Sequence, residues 1–195
     1  MATEIVRTAH NKKRGAVIKH FIQLAQSCLE LRNFAVVSAI VSGLNMNAIQ
    51  RLKKSWKVIS RGWSGYKLTA LKTIPKAVQD QLAHLEGYVM PYNNFAKYRN
   101  ALKTSPLPCL PFIGIYCRDL THIEEGNADY LENGHANLEK MRMKTVVVKE
   151  IRMFQAHRYN FEVSVSVQNY LNNISALAEP TVRKLSFQIE PRNDV

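Results

Sequence analysis

Apolar residues recur every three or four positions along nearly the whole chain, and that period leaves little room for anything but α-helix. Val17, Phe21, Leu24, Cys28 and Leu31 step by four, three, four and three. Phe34, Val37, Val41 and Leu44 repeat the pattern after Asn33, with Gly43 interrupting its end. Ile49, Leu52, Trp56 and Ile59 form a third stripe, and Asn47 ahead of it is the expected N-cap, since its side chain can accept from a free backbone N–H. Lys53, Lys54 and Lys57 fall off that stripe and read as a solvated helix face. Later stripes are Val78, Leu82, Leu85 and Val89, then Phe95, Tyr98 and Leu102 behind a cap at Asn93 or Asn94. Phe112, Ile115, Tyr116, Leu120 and Ile123 follow, then Leu138, Met141, Val148, Ile151 and Phe154 or Gln155.

The breaks are as legible as the stripes. Two glycines within Arg61-Gly62-Trp63-Ser64-Gly65-Tyr66 predict a loop. Pro106, Pro108 and Pro111 predict an extended connector, with Pro111 opening the next helix. Gly126-Asn127 is a C-terminal breaker pair. Val163, Val165 and Val167 alternate and predict a short strand, and Pro180 to Ile189 predicts a last helix. There is no internal repeat, and the whole reads as one all-α domain.

Composition removes several function classes. Of 195 residues, 46% are hydrophobic and 22% charged, so the chain is globular. Three cysteines, Cys28, Cys109 and Cys117, are too few for a disulfide scaffold and fit a reducing compartment. No apolar run reaches the roughly 18 residues needed to cross a bilayer, and the first residues lack a leader pattern, so a cytoplasmic location is expected. There is no phosphate-cradling glycine loop, no H-E-x-x-H and no C-x-x-C, so neither a metal nor a cofactor is expected. Glu124 and Glu125 are neighbours about 100° apart on a helix, which does not make an acid–base pair. A net charge of +12 suits an acidic protein, an anionic membrane or nucleic acid, but the basic helix Arg51 to Lys57 lacks the interleaved aromatics of a stacking platform. Nucleic acid is therefore not the expected partner.

Four segments in order carry a more specific message. They are Phe21-Ile22-Gln23-Leu24-Ala25 through Ile49-Gln50-Arg51-Leu52-Lys53-Lys54-Ser55-Trp56; Asn94-Phe95-Ala96-Lys97-Tyr98-Arg99; Pro108-Cys109-Leu110-Pro111-Phe112-Ile113-Gly114-Ile115-Tyr116 through Glu124-Glu125-Gly126-Asn127; and Asn137-Leu138-Glu139-Lys140-Met141-Arg142-Met143 through Phe154-Gln155. Together with the closing Ile189-Glu190-Pro191-Arg192, the chain resembles the catalytic domain of Ras-family guanine-nucleotide exchange factors, the RasGEF domain. The resemblance implies a single helical, bowl-shaped domain with a protruding helical hairpin, here about residues 112–155. It implies a protein regulator without covalent chemistry, whose first hairpin helix wedges beside the nucleotide site of a small GTPase. Glu125 matches the glutamate that approaches the phosphate loop, Thr121 the small residue near the metal site, and Asn127 the asparagine that closes the helix. Asn45, Gln50, Phe95, Phe112 and Met143 match positions of the GTPase-binding groove. The GTPase would be Ras, Rap or Ral, with Thr121 leaning toward Rap, and such a partner would bring the chain to the inner face of the plasma membrane.

Plainer roles compete at each position: core for Phe95 and Phe112, a solvated helix end for Glu125. Two departures from the family also matter. Ala2-Thr3-Glu4-Ile5 resembles a helix well inside the family domain, so roughly its first quarter is expected to be missing. Residues 59–73 read as an insertion, either a surface loop or a gene-model error. The truncation and Thr121 keep open an exchange-inactive scaffold of the same fold, and the basic charge keeps open a helical nucleic-acid-binding protein.

Overall fold

The computed structural model describes residues 1–61 and 76–191. Its helices are α1 (Ala2–Arg7), α2 (Asn11–Glu30), α3 (Phe34–Leu44), α4 (Asn47–Gln50), α5 (Lys53–Arg61), α6 (Lys76–Glu86), α7 (Ala96–Thr104), α8 (Ile113–Gly126), α9 (Leu138–Gln155), α10 (Val165–Asn173) and α11 (Glu179–Ile189). Among the described residues there is no β-strand, only isolated bridges between Asn33 and Leu110 and between Tyr130 and Ala136. The all-α expectation holds.

Two apolar clusters organise the helices. The larger takes Ile5 and Val6 from α1, Ile18 and Ile22 from α2, Val37, Val41 and Leu44 from α3, and Ile49, Leu52, Trp56 and Ile59 from α4 and α5. Val78, Leu85 and Val182 complete it from α6 and α11. The smaller gathers Phe34, Tyr98, Cys109, Ile115, Tyr116 and Phe154 beneath α8 and α9. The α3 and α5 stripes are buried as expected.

The α2 stripe is displaced by one residue. The buried positions are Arg14, Gly15, Ile18, Ile22 and Ala25, whereas Leu24 and Leu31 are exposed. The cause is a close crossing: a Cβ on Gly15 would lie 2.9 Å from the Ser55 carbonyl oxygen, so α5 sits directly on that face. A buried ionic network occupies the same crossing. Arg14 Nε donates to Ser55 Oγ (2.6 Å), its Nη1 to the Thr8 and Ala9 carbonyls (2.6 and 2.8 Å), and its Nη2 to Glu190 Oε1 (3.0 Å). Glu190 also accepts from the Lys54 and Ser55 amides at the start of α5 (2.9 and 3.0 Å), so a side chain beyond α11 caps another helix.

Other expectations are corrected. Asn47 is the first residue of α4, and Met46 holds the cap position without a side-chain bond; the asparagine that caps is Asn33, whose Oδ1 accepts from the Val36 amide at 3.1 Å. Asn93 and Asn94 do not cap α7 either. Both adopt left-handed backbone (φ 50° and 54°), which asparagine tolerates, and Phe95 holds the cap position at φ 58°. Pro111 precedes α8 rather than opening it. Val163, Val165 and Val167 are no strand: the last two lie in α10, all three are exposed, and no strand among the described residues offers a ladder. Most of residues 59–73 fall outside the described residues; Ile59 itself is buried in α5.

Candidate functional site

The α8–α9 hairpin stands on the smaller cluster. The Phe112 amide donates to the Tyr98 hydroxyl at 3.0 Å, which fixes the start of α8 against α7. Burial pushes the Tyr98 phenol up to about 12, so it stays protonated. Arg99 Nη2 donates to both carboxylate oxygens of Asp119 at 2.8 Å, a second strut between α7 and α8. The Arg118 guanidinium lies 4.5 Å from the Phe95 ring centroid and reaches Asn94 Oδ1. That contact is reached through the left-handed Asn93–Phe95 turn, a costly conformation for a bulky aromatic. The Phe112 ring folds over Gly114, where a Cβ would come within 2.7 Å of it.

Beyond this base the hairpin is held by one buried cation. Lys140 is 2% exposed, and its Nζ donates to Asp129 Oδ1 (2.6 Å), the Glu124 carbonyl (3.0 Å) and Glu124 Oε1 (3.1 Å). Lys144 pairs with the other Glu124 oxygen. These hydrogen bonds, Lys144 first and then Lys140, lower the Glu124 pKa, and the bond to Asp129 leads those that raise that of Lys140. Asn137 starts α9 by accepting from the Lys140 amide (3.1 Å) and donating to the Ala128 carbonyl (2.9 Å). Sequence reading missed Lys140, because a lysine on an exposed-looking helix gives no sign that three acceptors will converge on it.

The residues expected at the site fall into three places. Thr121 and Glu125 share one exposed face of α8. The Thr121 hydroxyl donates to the Cys117 carbonyl (3.1 Å), while Glu125 makes no hydrogen bond or ion pair with any described residue. Asn127 closes α8, its Nδ2 donating to the Ile123 carbonyl (2.9 Å). Phe95 and Phe112 both pack, half-buried, against the smaller cluster. Asn45 and Gln50 form a third group at α4, where Gln50 Nε2 donates to Asn45 Oδ1 (2.8 Å) beside a cavity of about 1230 Å³. Met143 is exposed on α9. No cluster of metal-ligating side chains occurs among the described residues.

What the fold and site define is an all-helical domain bearing a braced helical hairpin, with a free carboxylate near the far end of its first helix. The chain belongs to the RasGEF domain family, whose model matches residues 1–142. It is 38% identical over 191 residues to Ras guanine nucleotide exchange factor Y of Dictyostelium discoideum, an alignment covering 98% of this chain and 12% of that protein. It is 35% identical over 193 residues to Ras-specific guanine nucleotide-releasing factor 1 of Homo sapiens, covering 98% and 14%. Against Ras guanine nucleotide exchange factor D of Dictyostelium discoideum the identity is 33%, covering 98% and 27%. The chain thus spans a minor part of the length of these relatives.

Proposed function

We propose that this chain is a catalytic segment of an exchange factor that binds a Ras-family small GTPase and accelerates GDP release. The observation that carries the reading is the division of labour between two adjacent carboxylates in a RasGEF-family chain. Glu124 is consumed in bracing the hairpin, and Glu125 is left exposed and unpaired among the described residues. An exposed carboxylate at that position can accept hydrogen bonds that phosphate or the metal shell would otherwise hold. The Thr121 hydroxyl is occupied by its own helix, which leaves its methyl group to crowd the metal site. Asn45, Gln50, Phe95, Phe112 and Met143 supply the groove for the GTPase's other switch segment. The thermodynamics follow from linkage: a partner that binds the nucleotide-free GTPase more tightly weakens nucleotide binding by the same factor. No covalent step is required. The partner is Ras, Rap or Ral, with Rap favoured, and it would hold the chain at the cytoplasmic face of a membrane. No helix among the described residues is long and apolar enough to cross one.

The test is release of a fluorescent GDP analogue from purified Ras, Rap and Ral with this chain and with Glu125→Ala. Acceleration that falls at least tenfold in the variant is expected, the scale of losing one charged transition-state contact. A folded chain that binds a nucleotide-free GTPase without accelerating release would instead indicate a scaffold.

A further inference from the structure

The cavity between α4 and α11 carries more than Asn45 and Gln50. Lys53 and Lys54 from α5 and Arg183 from α11 also line it, and all three are exposed with no hydrogen bond or ion pair from their side chains to described residues. Both lysines lie in the first turn of α5, where positive charge adds to the positive end of the helix dipole. The acids on the wall do not offset this. Glu190 is committed to Arg14, Ser55 and the α5 amides, which among the described residues leaves Glu179 as the one opposing carboxylate. Arg51 is also committed, to the Ser186 and Glu190 carbonyls (2.6 and 2.7 Å) and across the Phe187 ring at 4.0 Å, so it forms floor rather than binding group.

We infer that this basic cavity receives an acidic segment of the GTPase, and that Lys53, Lys54 and Arg183 are specificity-determining residues for the partner. The inference rests on the exchange-factor reading and adds to it which part of the partner's surface is selected, and by what chemistry. Two arguments favour a protein segment over a lipid or nucleic acid. The same cavity presents an amide pair, Asn45–Gln50, suited to bonding peptide groups. It is also a recess between α4 and α11, which a peptide segment can enter and a flat membrane surface cannot. Charges at such a rim act mainly on association, so they govern how much GTPase is needed rather than how fast bound GTPase loses its nucleotide.

The experiment uses the full 195-residue chain, the double variant Lys53→Glu/Lys54→Glu, and Arg183→Glu. Nucleotide release is measured against GTPase concentration at low and high salt, and binding to the immobilised nucleotide-free GTPase is measured in parallel. The expected result is a rise of roughly tenfold or more in the half-saturating GTPase concentration at low salt, with a flattened salt dependence. The saturating rate should stay within about twofold of the parent, which a misfolded chain would not do. Unchanged half-saturation and salt dependence in an active chain overturn the inference while leaving the exchange reading intact. Binding without exchange overturns the exchange reading alone, since the variants' affinities still read the cavity. No binding to any GTPase overturns both. Variants that lose affinity for phosphatidylserine vesicles or an oligonucleotide, but not for the GTPase, assign the cavity to those anions instead.

Discussion

Replacing Glu190 by Ala tests the energetics of the buried network. The substitution leaves the Arg14 guanidinium, 1% exposed, without its counter-charge, and removes the acceptor for two amides at the start of α5. Removing one partner of a buried pair costs about 3–5 kcal/mol, and losing a cap about 1 kcal/mol. Arg14 keeps the Thr8 and Ala9 carbonyls and Ser55 Oγ, which holds the total near the low end, about 4 kcal/mol. For a chain of this size that is a drop of roughly 10 °C in Tm. Urea unfolding followed by far-UV circular dichroism at pH 7 gives the free energy, provided the slope with denaturant is unchanged. The double variant Arg14→Met/Glu190→Met buries no charge and should be more stable than Glu190→Ala alone. A loss below about 1 kcal/mol for Glu190→Ala, or additive losses in the double variant, would refute the claim that charge pairing holds the end of α11 to α5.

Three further outcomes follow. Gly15→Val should destabilise by about 2 kcal/mol, because the new side chain meets the Ser55 backbone and Val58 rather than a yielding side chain; a melting curve checks it. The depressed Glu124 pKa makes its contribution to the hairpin full above the ordinary carboxylate pKa of about 4.3 and lost as pH falls through the lower folded value. The raised Lys140 pKa makes that group's contribution full below about 10.4 and lost above it. Amide exchange in α8 and α9, corrected for intrinsic rates, should therefore be slowest between these limits. Thr121→Val should leave nucleotide release within about twofold, because the hydroxyl it removes serves only the Cys117 carbonyl.

Much of the fold is legible in the sequence because α3 and α5 each present one continuous apolar face to the larger cluster. The α2 stripe misleads for a definite reason. The face that packs on α5 contains Arg14 and Gly15, and hydrophobicity alone cannot anticipate a buried arginine whose partner lies 176 residues away. The valines near 165 alternate with serines, but alternation implies a strand only where a second strand can pair with it. At the site, helix periodicity puts Thr121 and Glu125 on one face of α8 while the family resemblance is what singles them out, whereas Lys140 and the Tyr98–Phe112 bond arise from contacts between helices and leave no local trace.

The footing of α8 has a consequence for reach. Its contacts with the body of the domain run from Phe112 to Asp119, and the brace at Glu124 ties it to α9; Glu125 lies 13 residues beyond Phe112, about 20 Å at 1.5 Å per residue. A lever of that length converts a tilt of about 10° at the base into a swing of about 3 Å at the carboxylate, one hydrogen-bond length. Repacking around Phe34 or Tyr98 would thus move Glu125 as effectively as changes beside it. The aim of the hairpin is set by the packing at its base.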